Sequence, residues 1–338
     1  MNQFNAKSQL DIRSIRHFID FIEQDQLSED QKLILLVALS QHLKNATSLN
    51  LFINVLIKKG NYTKSNLGET GIDICGTGGS GLARINTSTL TGILLSTFDI
   101  PILKHGNKAA SGRFGSFDLL ECLNVPIDAE QAAIENAFEA QNLAFLYARK
   151  THPVVGKLAG TRARLGVPTV LNVLGPLLNP YLPKRQFMGT SFADFMGTIF
   201  ETAIAMGKEH FVLVRAEDGL DEISVSVPTK VMEYIDGKIE IYEISPADFG
   251  LEAIPFNAVR SDKKEDNIRI AEEIIKGELK SEHYQLIAIN AAFVYAKFHK
   301  AMDLKEAYQL MITQIKSGAM KAKLENYSQT ILTHGAIA

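Results

Sequence analysis

From Ile72 onward one pattern repeats along the chain: short apolar runs alternate with amphipathic segments, which is how strands joined by helices read in sequence. That pattern implies an α/β domain. Strands are expected at Ile72 to Cys75, Ile100 to Leu103, Leu143 to Ala148, Phe187 to Ser191 and His210 to Ala216. Helices are expected from Ser88 to Phe98 and from Asp194 to Met206. Asp236-Gly237, set between alternating apolar residues from Val231 to Ile244, predicts a hairpin with a type I′ turn. Three closing helices are read at Lys263 to Lys276, Ser281 to His299 and Leu304 to Lys316.

The stretch before this domain has a different period. Apolar residues from Ile12 to Lys59, among them Ile15, Phe18, Ile19, Ile22, Leu36, Leu39 and Leu43, fall at helical spacing, and Ser28-Glu29-Asp30 resembles a helix start. A polar stretch, Gly60 to Gly71, then reads as a linker. The expected division is a helical domain over residues 1–66, joined by helices within 128–165, and an α/β domain over 67–338. The 338 residues suit two such units.

Composition narrows the function. Lys and Arg number 35 and Asp and Glu 38, a formal charge of −3, so no global field draws in nucleic acid or an anionic membrane. Any anionic ligand must be bound locally. Cys75 and Cys122 cannot build a disulfide framework, Met1 to Arg13 does not read as a signal peptide, and no apolar stretch spans a bilayer. A cytoplasmic protein without a membrane partner is expected.

Four stretches carry chemistry. Gly76-Thr77-Gly78-Gly79-Ser80-Gly81 lies between a strand and the helix start at Asn86-Thr87-Ser88-Thr89, where converging backbone N–H groups and the helix dipole favour a phosphate. A purely structural turn is the competing reading, and the spacing fits neither the Walker A nor the dinucleotide pattern. Lys104-His105-Gly106-Asn107-Lys108, followed by Ser111-Gly112-Arg113 and Gly115-Ser116, groups cations and polar side chains near a second strand end, although basic turns are usually only solvated. Asp218-Gly219-Leu220-Asp221-Glu222 follows a strand and suits a divalent cation or an acidic surface turn equally. Last come His152-Pro153, Arg162 on the Val154 to Leu165 segment, Asn172 and Gly175-Pro176-Leu177-Leu178-Asn179-Pro180. Here the arginine could pair with a carboxylate or face water.

Together, in this order and spacing from about Gly71 to Gly318, these stretches resemble the anthranilate phosphoribosyltransferase family. The resemblance implies a helical domain plus a large α/β domain with a central, mostly parallel sheet, as in nucleoside phosphorylases and phosphoribosyltransferases, and a homodimer formed through the helical domains. It implies transfer of a phosphoribosyl group from 5-phosphoribosyl 1-diphosphate (PRPP) to the amine of anthranilate with Mg²⁺, as in tryptophan biosynthesis. By position, Gly76, Gly79, Asn86, Ser88, Thr89, Lys104 and Ser116 would bind PRPP. Ser88, Asp221 and Glu222 would hold Mg²⁺, and His105, Asn107, His152, Arg162 and Gly175 would line the acceptor site. No general base is assigned, because an arylamine is already neutral near pH 7.

The chain also departs from the family pattern. Ser80 stands where Asp is usual, Arg84 where a smaller residue is usual, Lys108 and Pro168 replace typical arginines, and Phe114 and Phe117 are bulky for their loop. These departures leave room for a paralogue using another aromatic amine. A pyrimidine nucleoside phosphorylase shares the fold, but the Asp221-Glu222 pair with the Gly-Pro and Asn-Pro turns favours the transferase. A non-catalytic nucleic-acid-binding member of the fold would want a basic groove, which the charge of −3 does not favour.

Overall fold

Alternation along the strands decides how the molecule is layered. In a computed structural model describing residues 12–63, 65–109 and 114–335, seven strands form one sheet. They are β1 (Ile72–Gly76), β2 (Ile102–Gly106), β3 (Leu143–Tyr147), β4 (Arg185–Gly189), β5 (His210–Ala216), β6 (Thr229–Ile235) and β7 (Lys238–Ile244). Their order is β3-β2-β1-β4-β5-β6-β7. The β3-β2-β1-β4-β5 part is parallel, and β6 and β7 add an antiparallel edge.

In β1, β4 and β5 successive side chains enter opposite cores, as the period of two requires. Ile72 and Ile74 of β1, Phe187 of β4 and Val212 and Val214 of β5 join one core, with helices Thr87–Ser96 and His283–Phe298. Cys75, Met188, Phe211 and Leu213 point the other way. That second core is completed by the N-terminal helices Ile12–Glu23, Glu29–His42 and Ala46–Lys58, through Ile15, Phe18, Leu36, Phe52 and others, and by helix Met196–Ala205. The helical part therefore covers one face of the sheet.

Local signals formed as their chemistry dictates. Ser28 caps helix Glu29–His42 with a full capping box through Gln31. Asp236 and Gly237 take φ of 49° and 81°, the two left-handed residues that a type I′ turn needs.

Four expectations need correction. The second strand begins at Ile102, after Pro101, which has no N–H to donate; it runs on to Gly106, so Lys104 and His105 are strand residues. β4 starts two residues earlier than expected, at Arg185. The Val154 to Leu165 helix is broken into Pro153–Gly156 and Ala159–Leu165. A fourth closing helix, Ala319–Gly335, follows Gly318, and buries Met320, Leu324, Tyr327 and Ile331. Within 128–165, helix Gln131–Gln141 packs into the first core through Ile134 and Phe138, whereas Val154 and Leu158 join the N-terminal helices. Among the described residues no helix is long and apolar enough to cross a membrane.

Candidate active site

Two cavities adjoin at the C-terminal ends of β1 and β2, and share Cys75, Gly76, Thr77, His105, Gly106 and Asn107 as lining. Carboxyl ends of parallel strands are where such sheets leave room for ligands. The larger cavity is about 860 Å³ and gathers all the expected PRPP residues: Gly76, Gly79, Asn86, Ser88, Thr89, Lys104 and Ser116. Asp221 and Glu222 line it too. The smaller, about 170 Å³, gathers His105, Asn107, His152, Arg162 and Gly175 with Asn172. Ser111, Gly112 and Arg113 lie outside the described residues.

The glycine turn is built by close approach. Gly78, Gly79 and Gly81 have φ of 66°, 82° and 77°, a backbone that side chains disfavour. A Cβ on Gly76 would stand 2.5 Å from Asp221 Oδ2. Ser191 Oγ donates to Gly78 O (2.6 Å), and Thr77 N–H donates to Gly189 O (3.0 Å), which ties the turn to the end of β4. Past it, helix Thr87–Ser96 points its first turn into the cavity with Asn86 as N-cap. Asn86 Nδ2 is buried and has no partner among the described residues.

Lys104 is only 4% exposed, and its Nζ donates to Ile74 O at 2.9 Å; burial lowers its pKa, with Asp73 opposing. Ser116 opens a short helix and donates to Asn107 O (3.2 Å). Asp118 Oδ2 accepts from Ala109 N and Gly115 N, at 2.9 and 2.8 Å, and clasps the two ends of the intervening loop. Phe117 is fully buried, stacked on Tyr147 with ring centres 4.8 Å apart, so its bulk serves packing. Phe114 lines the cavity beneath Lys264 Nζ, 5.5 Å from its ring centre. Lys108 turns to Glu121, at 2.9 Å from both carboxylate oxygens, and Pro168 is exposed.

Arg84 meets the acid pair directly. Its Nη2 donates to Asp221 Oδ1 at 2.7 Å and its Nε to Glu222 Oε2 at 2.8 Å. Burial opposes the guanidinium's charge, but Glu222 and Asp221 overcome it and raise its pKa. Arg84 is thus no free cation for a ligand.

In the smaller cavity the reverse holds. Among the described residues Arg162 Nη2 reaches only Asn172 Oδ1, at 3.3 Å, and burial lowers the arginine's pKa. Asn172 Oδ1 also accepts from Thr169 N at 3.0 Å, capping helix Val170–Leu174. His152 Nε2 donates to Leu178 O at 2.6 Å, and its ring stands edge-on to His105, with centres 5.9 Å apart. His105 shares a hydrogen bond with Thr151 Oγ1 at 3.3 Å. Burial, then the neighbouring His152, pushes His105 down to about 3, and burial also lowers His152, so both rings are neutral at pH 7.

Residues 261–267 complete the large cavity, with Ser261, Asp262, Lys263, Lys264 and Asn267 in its wall. In the sequence they read only as a helix start. A Lys-Lys pair opening a helix was the available signal.

Known proteins share this chain's sequence pattern and fold. The model described as "Glycosyl transferase family, a/b domain" matches residues 68–321. An anthranilate phosphoribosyltransferase of Caldicellulosiruptor saccharolyticus is 34% identical over 325 residues, 96% of this chain and 95% of its own length. The chain belongs to the anthranilate phosphoribosyltransferase family. Another family member, from Thermomicrobium roseum, is 33% identical over 94% of this chain and 91% of its own. The crystal structure of anthranilate phosphoribosyltransferase from Thermus thermophilus superposes with a TM-score of 0.83 at 29% identity, covering 96% of this chain and 97% of that one. The Saccharomyces cerevisiae family member solved in complex with PRPP and Mg has a TM-score of 0.83 at 23% identity and shares the fold over 98% of this chain and 94% of its own. The α/β fold, the helical part and phosphoribosyl-transferring chemistry are those of the family.

The Mg²⁺ that the sequence resemblance implies would find a poor donor set at Asp221 and Glu222. Mg²⁺ asks for oxygen ligands at roughly 2.0–2.1 Å. Arg84 already engages one oxygen of Asp221 and one of Glu222, and Gly78 N–H donates to the other Asp221 oxygen at 2.7 Å. Among the described residues no group of three or more His, Cys, Asp or Glu could hold a metal ion.

Proposed function

We propose that this protein transfers the phosphoribosyl group of PRPP to the amine of anthranilate, releasing diphosphate and N-(5-phosphoribosyl)anthranilate. The observation that carries this reading is the pair of adjoining cavities: a large one walled by glycine turn, helix start and Lys104, and a small one holding Arg162 with no carboxylate partner among the described residues. A buried guanidinium without an acid is costly unless a ligand supplies one. Anthranilate carries a carboxylate beside its amine.

In this reaction the bond from C1 to the diphosphate oxygen breaks as the bond to the amine nitrogen forms, and the amine's proton leaves to solvent. Charge develops on the departing diphosphate, so fixed donors aimed at it lower the barrier. The backbone N–H groups of Gly76 and Gly79, the first turn at Asn86, Ser88 and Thr89, Ser116 and Lys104 Nζ take that role. Arg162, with Asn107, His105, His152 and Gly175 around the ring, holds the acceptor in line. Neutral His105 and His152 place no positive charge against the developing ammonium.

Mg²⁺ belongs to this reading as a counter-ion of the donor diphosphate, with Ser88 the expected protein ligand that Arg84 does not engage. A homodimer through the helical part fits the exposure of Phe21 and Ile34 on the N-terminal helices, 44% and 61%. The setting is cytoplasmic tryptophan synthesis.

The test is a fluorescence assay of anthranilate with PRPP and Mg²⁺. Loss of anthranilate fluorescence that requires PRPP and releases one diphosphate per anthranilate is expected. No loss, or loss independent of PRPP, would overturn the reading, and turnover of another arylamine in place of anthranilate would reassign the acceptor.

A further inference from the structure

The acid pair at the end of β5 faces a cation that cannot dissociate. The Arg84 guanidinium spans both carboxylates through Nη2 and Nε, and its remaining nitrogen, Nη1, is 3.3 Å from Ser80 Oγ and 3.3 Å from Leu82 O. Ser80 and Arg84, four residues apart in sequence, thus meet the acid pair in one cluster. A carboxylate at position 80 would add a third anionic ligand beside Asp221 and Glu222, whereas the Ser80 hydroxyl accepts from Arg84.

Neither side of the pair is free to swing away. Ala83 O accepts from Ser261 N at 3.1 Å and Arg84 O from Asn267 Nδ2 at 2.9 Å, pinning the arginine's backbone on both sides. Asn290 of helix His283–Phe298 holds the acid segment, accepting from Ile223 N at 2.9 Å and donating to Ile223 O at 3.0 Å. A Cβ at Gly189 would stand 1.8 Å from Asp221 O, so the sheet itself fixes that loop. The side chains of Asp221 and Glu222 are 1% and 6% exposed and that of Arg84 is 14% exposed, which leaves little solvent to compete for them.

We propose that Arg84 is a built-in replacement for a protein-held divalent cation, so that Asp221 and Glu222 bind no metal in this protein. Two carboxylates and one guanidinium leave a net charge of −1 in the cluster. A divalent ion bound to the same pair would leave none. Any metal reaching the large cavity then comes coordinated to the donor rather than waiting on the protein. This claim concerns the ligand-free chain and stands apart from the transfer reaction.

The experiment is a Mn²⁺ titration followed by electron paramagnetic resonance, without PRPP, on the full-length protein and on R84A, S80D/R84A and D221N. The expected result is no Mn²⁺ site in the unmodified protein that D221N removes. In R84A one Mn²⁺ per chain should bind at least tenfold more tightly, and in S80D/R84A more tightly again, with Mn²⁺ raising the melting temperature of both variants but not of the unmodified protein. A Mn²⁺ site in the unmodified protein that D221N abolishes would overturn the proposal. So would a folded R84A that gains no Mn²⁺, or failure of both variants to fold in millimolar Mn²⁺, since the metal would then be no substitute for the guanidinium.

Discussion

Arg84 and Arg162 are both largely buried arginines in adjoining cavities, and they differ in what answers them. Arg84 has two carboxylates at 2.7 and 2.8 Å, while Arg162 has one amide oxygen at 3.3 Å. The first is a closed ion cluster whose purpose is met inside the chain. The second is the cation that the proposed function pairs with a carboxylate on the acceptor. A guanidinium's type therefore says little about its role, and the acids around it say most.

Removing each arginine in turn separates the two roles. Arg84→Ala leaves two buried carboxylates facing each other, so unfolding in urea should show a loss of about 3–5 kcal/mol, the scale on which breaking a buried pair is felt. A loss under about 1 kcal/mol would mean that the cluster is not closed. Arg162→Ala should do the opposite: stability holds, while kcat/KM for anthranilate falls about 100-fold with the KM for PRPP little changed, as for loss of a charge-assisted contact. Lys104→Met should raise the PRPP KM about tenfold and leave the anthranilate KM nearly fixed. Equal effects on both substrates would merge the two cavities into one functional site.

A further effect concerns pH. His105 is pushed from an ordinary 6.5 to about 3 in the folded protein, so below pH 6.5 the unfolded chain takes up a proton that the folded one refuses. Its share of stability is complete above pH 6.5 and falls away as the pH drops toward 3. Urea midpoints at pH 7.5 and 5 should differ less in His105→Asn than in the unmodified protein.

Much of this was legible in the sequence where the signal is local. The Asp236-Gly237 hairpin, the Ser28 cap and the glycine turn each rest on residues within a few positions of one another, and each formed as expected. The candidate site residues were singled out in the sequence as strand-end and turn residues, and the structure gathers them around two adjoining cavities, although Lys104 and His105 lie within β2, which pairs with β3 as far as Gly106. The pairing of Arg84 with residues 221 and 222 was not legible. It joins positions 137 and 138 apart in sequence, and nothing near Arg84 shows that its side chain turns to acids instead of ligand. The wall at 261–267 was hidden for the same reason, being brought over by the Arg84–Arg260 bridge. Helix Ala319–Gly335 was missed although Met320, Leu324, Tyr327 and Ile331 recur at helical spacing, because the polar residues between them dilute the apolar stripe.

If Arg162 waits for an anion, the smaller cavity selects its acceptor by a carboxylate held there. Selection is read from PRPP-dependent turnover of anthranilate against aniline, which lacks the carboxylate, in the unmodified protein and in Arg162→Ala. The unmodified protein should prefer anthranilate by about 100-fold or more, and the preference should collapse to a few-fold in the variant. Equal use of the two amines by the unmodified protein, or a preference that survives the loss of Arg162, would contradict that role for the arginine.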